Sequence, residues 1–549
     1  MKGKSVPPPM GAYILKKGLN MYMRTAVALI SLVCLAALPA RGQFNIGGHP
    51  RVNPDDFLIT TFADKLNYPV GMVELEDGSI LVAVANGGSF FGSTSGQILR
   101  LVDEDDDGVA DSRTVIEDNL TIGGPSTLRK IDDLLFVTGQ TKPIAILRLG
   151  PAPDYPLTEL GRINIDDGSS WMHPNSALAV RRNGDTYELY FPLGSKANFA
   201  KTTQTRRLTS NIGLSADLAG DAIHRLTFSY DGETITGLDL TQIATGLRSA
   251  SGLAFHPKTG DLYFEDNGID GLEQAIEAHS ADEINTIPAD QLGGDIDDFG
   301  FPDHFIAYRT GEFVGGGATP PVVAFTPLPN PADGSESEGP NDIAFAPPGF
   351  PQGLNDGLFV GFHGQFSKGG LSNEENPLVY VDLNSGEYFH FIGNEEPLVG
   401  HLDGLLATRD RLYVADISGH GGFGSSAKDS GAIYRIRYVG KSTAVHTLAA
   451  ESPERFALEN AFPNPFNPST TIRFSVPPTS ALLSAQLVVY DLVGQRVKVL
   501  MDQALGTGIY TATWDGTDAK GQAVASGTYI YRLRLGDQFI ESGRVTLIK

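Results

Sequence analysis

The chain has 549 residues, with 41 basic against 65 acidic side chains and a formal charge of -24. So large an acidic excess argues against nucleic acid or an anionic membrane as partner and suits a soluble, exported protein. The length exceeds what one small core serves, so two or more domains are expected.

The N-terminal residues carry an export pattern. Basic "KKGLNMYMR" leads into apolar "TAVALISLVCLAALPA" and a small-residue exit, so residues 1–42 read as a signal region cut after Gly42. Met21 or Met23 offers a later start. The apolar run is short of the about 18 to 20 residues a membrane anchor needs, and it ends in Pro39. Cys34, the single cysteine, lies inside this run and lacks the small residue that precedes a lipidated cysteine. The exported chain is therefore expected to hold no disulfide.

Beyond the signal, short runs alternate apolar and polar residues between turns rich in Gly (64) and Pro (34), so the fold class is all-β. In chain order, "DFLITTFA" is a first strand. Hairpins then recur in "GMVELEDGSILVAV", "STLRKIDDLLFVTG", "SALAVRRNGDTYELYFPLG", "SGLAFHPKTGDLYFEDNG", "NDIAFAPPGFPQGLNDGLFVGFHG" and "DGLLATRDRLYVAD", most followed by a third strand such as "GQILRLVD" or "GAIYRIRY". A small sheet cannot bury both faces alone, so these six units predict a six-bladed β-propeller over residues 43–440, with "DFLITTFA" completing the last blade. The stretch 441–454 breaks the pattern and reads as a linker. Residues 455–549 contain "TIRFSVP", "SAQLVVYDLVG", "YTATWDG", "GTYIYRLRLG" and "RVTLIK", which imply a small immunoglobulin-like β-sandwich.

One loop carries a cation signal. "DEDDDGVAD" sets Asp103, Asp105, Asp107 and Asp111 on a DxDxDGxxD spacing with Gly108 at the sharp turn, so their carboxylates can wrap one calcium. Thr114 stands where an EF-hand loop has its bidentate Glu, and a bare acidic turn is the alternative. Hydrolase and nucleotide motifs such as GxSxG, HExxH and the phosphate loop are absent from the sequence.

"NAFPNPFNPSTTIRFSVP", "VVYDLVGQRV", "TWDGTDAKGQAVASGTYIYRLR" and the terminal "LIK" resemble the C-terminal sorting domain of type IX secretion substrates, close to the flagellar-hook-scaffold immunoglobulin-like domain. The resemblance implies passage across an outer membrane by the secretion machinery and display at, or release from, the cell surface. A plain sandwich spacer is the alternative.

"LNYPVGMVELEDGSILVAV", "GLRSASGLAFHPKTGDLYFEDNG", "ADEINTIPADQLGGDIDDFGFP", "DGLFVGFHGQFSKGG" and "DSGAIYRIRY" resemble the glucose/sorbosone dehydrogenase family, six-bladed enzymes that use pyrroloquinoline quinone (PQQ) and calcium. The resemblance implies that His173 is the catalytic base and that Arg248 contacts the cofactor, with Lys368 a further partner for a cofactor carboxylate. It implies a channel calcium held by Gly268, Ile269, Asp282 and Glu283, beside Asp266 and Asn267. His363 and His401 are further late-blade candidates. Ser249 and Ser251 stand where sugar-oxidising members have Asn and Gln, which leaves the quinone fewer amide contacts. Each residue has a plainer reading: a salt bridge for Arg248, a hydrogen-bonded loop residue for His173, a flexible surface lysine among glycines for Lys368, a solvated acidic loop for the carboxylates.

The expected function is an exported PQQ- and calcium-dependent dehydrogenase of sugars or related alcohols. Electrons would pass to a separate acceptor, because the chain has no CxxCH haem motif. The alternatives are a non-catalytic surface propeller that binds glycan or protein, and a calcium-dependent lactonase-like hydrolase.

Overall fold

The computed structural model describes residues 46, 49 and 51–549 apart from 140–142, 167–170, 174–175, 273–277, 328–338, 364–377, 393–401, 403, 419–422, 441–445, 449–454, 468, 479–482, 506–507, 519–522 and 537–538. The expected signal region, Lys368 and His401 lie outside the described residues. No helix among the described residues is long and apolar enough to cross a membrane. Regular structure there is strand, with short 3-10 turns.

Six sheets follow one another along the chain. Blade 1 is Pro69–Glu74, Ile80–Ala85, Gly96–Val102 and Ser112–Leu120. Blade 2 starts with Pro125–Ile131, Leu134–Gly139, Ile144–Leu149 and Leu157–Ile165. Blade 3 is Ala179–Asn183, Thr186–Leu193, Ala222–Tyr230 and Ile235–Thr245. Blade 4 is Ala250–Phe255, Leu262–Asp266, Asp282–Ile287 and Val323–Phe325. Blade 5 is Pro340–Phe345, Leu358–Phe362, Leu378–Val381 and Tyr388–Ile392. Blade 6 is Gly404–Ala407, Arg411–Asp416 and Gly431–Tyr438, completed by the early strand Phe57–Leu66, which pairs antiparallel with Gly431–Tyr438.

The first strand of each blade packs against the first strand of the next, and that of blade 6 returns to blade 1, so the ring closes. Apolar side chains fill every junction, as with Leu128 and Leu81 between blades 1 and 2, or Phe325 and Val360 between blades 4 and 5. Inner strands crowd at the axis. A side chain at Gly71 would meet the backbone of Leu128, and one at Gly404 the carbonyl of Val70, so these two positions admit no Cβ.

Two features depart from simple repetition. Thr205–Ser210 and Ser215–Ala219 arise inside blade 3 but pair through Leu208, Thr209 and Ser210 with Leu157–Ile165, so blade 2 has six strands. A segment at Asp297–Asp298 adds a short parallel strand to the edge of blade 3.

The C-terminal sandwich has two four-stranded sheets around fully buried Trp514 and Tyr531. One sheet is Arg496–Leu505, Leu483–Tyr490, Gly527–Leu535 and Phe539–Leu547. The other contains Gly508–Trp514, Thr470–Val476 and Ala457–Leu458, with His446–Leu448 at its edge. The stretch expected to be only a linker thus contributes an edge strand, pairing Thr447 with Tyr510. Its run is too short for alternation to reveal it.

Candidate active site

In an antiparallel blade the first strand begins, and the second ends, at the same end of the ring. His173 precedes the inner strand of blade 3 and Arg248 that of blade 4. Asp266 ends the second strand of blade 4 and Asp282 opens its third. Topology therefore brings all four to one mouth. Backbone bonds tie them together: His173 N–H donates to the Ser195 carbonyl at 3.0 Å, and Ser195 N–H to the Arg248 carbonyl at 2.7 Å. A side chain at Gly194 would collide with both His173 and the Arg248 carbonyl, so the approach needs that glycine.

Arg248 is only 3% exposed. Its N–H and that of Ser249 donate to the two oxygens of Asp266 at 3.0 and 2.6 Å, which fixes the turn into the inner strand. Nη2 donates to Asn198 Oδ1 at 2.8 Å and to Asp270 Oδ2 at 2.6 Å, and Nε reaches Asn198 as well. Nη1 makes a long contact, 3.4 Å, to the Asn267 carbonyl. Burial, then the Arg248 charge, holds the His173 imidazole down at a pKa of about 3. The ring is neutral under ordinary conditions, and its buried Nε2 has no hydrogen-bond partner among the described residues.

Beneath these groups lies a set of buried carboxylates. Burial, then repulsion from Asp282, Asp266 and Asp342, pushes Glu265 well above the usual carboxylate range. Burial likewise raises Asp266 to about 7 and Asp282 to about 6, against the pull of backbone N–H groups and Arg248. Burial, then Asp266, raises half-buried Glu283 to about 8. Glu265 Oε1 is buried without a partner among the described residues. Arg129 of blade 2 crosses to Asp342 of blade 5 at 2.8 Å, and the other Asp342 oxygen accepts Leu405 N–H of blade 6 at 3.0 Å.

The residues present fit a carboxylate-bearing ligand at Arg248 and, by charge, a cation near the acids. The coordination shell for calcium is not preassembled. Asp282 gives both oxygens to backbone N–H groups, of Gly268 at 2.6 Å and Gly339 at 2.9 Å. The Ile269 carbonyl accepts N–H bonds from His279 and Ser280. Gly268 lies so close to the Ser280 and Ala281 carbonyls that no side chain fits there. Calcium in this place would require part of that internal bonding to rearrange.

The acidic loop lies elsewhere. Asp103 follows the third strand of blade 1, which runs parallel to the inner strand, so the loop sits at the end of the ring opposite the mouth. Asp103, Asp105 and Asp111 bring ligand oxygens within 4.8 Å of one another. Asp107 stands outside that group and accepts the Val109 N–H at 2.8 Å. Buried Arg435 pairs with Asp103 and Asp106 at 2.9 Å each, and Arg411 and Arg437 also reach Asp106.

His363 stacks on Phe423 with ring centroids 4.7 Å apart. Sequence reading missed Asn198, Asp270, Glu265, Asp342 and Arg129. The signal for Glu265 was present: apolar strand "LYFED" closes on two acids, and the carboxylate in the strand interior follows buried Leu262 and Phe264.

The architecture is an all-β six-bladed propeller followed by an immunoglobulin-like sandwich. Residues 461–535 match the family model of the FlgD Ig-like domain. Among solved structures, the chain is similar to the iodide structure of a Trichoderma reesei protein of Carbohydrate-Active Enzymes Family AA12, with 16% identity, 71% of this chain and 98% of that chain covered, and a TM-score of 0.45. It is similar to the holo form of the pyranose dehydrogenase PQQ domain from Coprinopsis cinerea, with 16% identity, 74% and 99% covered, and a TM-score of 0.45. A Thermus thermophilus protein described as a putative oxidoreductase (glucose dehydrogenase) matches with 16% identity, 69% and 99% covered, and a TM-score of 0.41. No curated sequence matches the chain significantly.

Proposed function

We propose that the propeller is an exported PQQ- and calcium-dependent dehydrogenase that oxidises sugars or related alcohols. The observation that carries this reading is the unpartnered, neutral His173 Nε2 beside buried Arg248 at one mouth, in the residue types that the sequence resemblance assigns to base and cofactor contact. PQQ, when bound, supplies the two-electron acceptor. His173 Nε2 accepts the proton of the substrate hydroxyl. Arg248 would orient a quinone carboxylate, which a planar guanidinium matches in geometry and charge. Asp282 and Glu283, with the Gly268 and Ile269 carbonyls, would hold the calcium, once the internal bonds of Asp282 and Ile269 were exchanged for the ion. Electrons pass to a separate acceptor. The C-terminal sandwich delivers the chain to type IX secretion machinery and the cell surface.

The test is dye reduction by purified full chain with PQQ and calcium against a panel of aldoses, with His173→Ala alongside. Turnover abolished in the variant supports the reading. Absence of turnover together with absence of quinone binding shifts it to a second reading, a propeller that binds glycan or protein without catalysis. One observation favours that second reading: Nε and Nη2 of Arg248 are already engaged by Asn198 and Asp270.

A further inference from the structure

The Arg248–Asp270 ion pair joins unlike environments. The arginine side chain is 3% exposed and the aspartate 71%, at a separation of 2.6 Å. Each group near Arg248 has a different holding task. Asn198 fixes the guanidinium through Oδ1 and, through the same atom, accepts the Asp270 backbone N–H at 2.9 Å, so the loop stays anchored whatever the Asp270 carboxylate does. Asp266 spends its oxygens on the backbone N–H groups of Arg248 and Ser249. Asp270 alone among these brings a water-facing carboxylate to the cation.

We propose that Asp270 is a built-in stand-in for a ligand carboxylate, and that a carboxylate-bearing ligand enters the mouth by displacing it from Nη2 of Arg248. A solvent-facing carboxylate gives up little on leaving, because water replaces its partner. A buried guanidinium left unpaired is costly, so the exchange favours an incoming anion over a neutral molecule. The internal occupant lowers apparent affinity by the fraction of time the site is closed. The mechanism requires no specific anion, and it rests on the dehydrogenase reading only where PQQ is the ligand.

The experiment is calorimetric titration of the full chain with PQQ and, separately, with benzene-1,3,5-tricarboxylate. Wild type is compared with Asp270→Asn, Asp270→Ser and Arg248→Met, and a melting curve confirms that each variant is folded. The expected result is binding about tenfold or more tighter in both Asp270 variants, lost in Arg248→Met. Equal affinity in wild type and Asp270 variants, binding indifferent to Arg248→Met, or no binding of either probe by any form overturns the proposal. The two readings separate cleanly. The tricarboxylate bound in the expected order without PQQ sustains the displacement and sinks the dehydrogenase, whereas PQQ bound equally by wild type and Asp270 variants sinks the displacement and leaves the dehydrogenase to the turnover test.

Discussion

The His173 imidazole is kept neutral by its surroundings. With a pKa near 3, set by burial and by Arg248, it is ready to accept a proton at any pH from about 5 upward. The activity is accordingly predicted to show no acid limb from this group between about pH 5 and 8. Replacing it with alanine is predicted to lower kcat by about 10² to 10⁴ with PQQ affinity retained; a pH–rate profile with an inflection near 6.5 would show instead that the ring titrates as a free histidine. The carboxylates beneath act on stability with the opposite sign from the histidines. Glu265, Asp266, Asp282 and Glu283 are raised in the folded state. The stability they contribute is fully present below their unfolded values near 4; for Asp282, Asp266 and Glu283 it is lost as pH rises through about 6 to 8, and Glu265 acts in the same direction. His173 and His224, held down at about 3 and 4, destabilise the fold only as pH falls below their ordinary 6.5. Above 6.5 the carboxylates therefore act without that opposition. Metal-free protein is predicted to melt at a lower temperature at pH 8 than at pH 6.5, with calcium narrowing the gap; a melting temperature that is flat or rising over that interval contradicts the assignment.

At the scale of elements, axis crowding decides what a strand tolerates. Gly404→Ala drives a methyl into the Val70 carbonyl, whereas Gly88 faces open space. Denaturant unfolding is predicted to show a loss of about 1 to 3 kcal/mol for the first change and little for Gly88→Ala. Equal midpoints for the two would mean that the inner strands are looser than described. The same elements explain what could be read in advance. Blade hairpins such as the one ending in Leu262–Asp266 announce themselves because an apolar strand follows a polar turn, and closure by "DFLITTFA" follows from counting strands. The hairpin of Thr205–Ser210 and Ser215–Ala219 was hidden because its residues are polar and it joins a blade that precedes it in the chain. Arg248 was legible as a lone cation at a strand mouth. Asn198 and Asp270 were not, because they come from irregular loops, where no period tells which way a side chain points. The strand His446–Leu448 inside the expected linker is three residues long, too short for any pattern.

For the whole molecule, closure of the ring holds the mouth together. Phe57–Leu66 pairs along Gly431–Tyr438 from Phe57 with Tyr438 to Leu66 with Gly431, and its Phe62 and Leu66 fill the junction between blades 6 and 1. Removing residues 51–66 is predicted to abolish cooperative melting of the propeller rather than trim its stability, since every inner strand depends on its two neighbours. A truncated chain that melts as sharply as the intact one would place the closing contact elsewhere. The central claim concerns chemistry at that mouth, and the electron acceptor need not be known to test it. Full-length protein loaded with PQQ and calcium is mixed with an aldose without dye, and the quinone spectrum is followed through a single turnover. The account predicts that the oxidised spectrum decays to the reduced one in wild type and about a hundredfold more slowly in His173→Ala. A bound quinone that stays oxidised with every aldose in both proteins would contradict it.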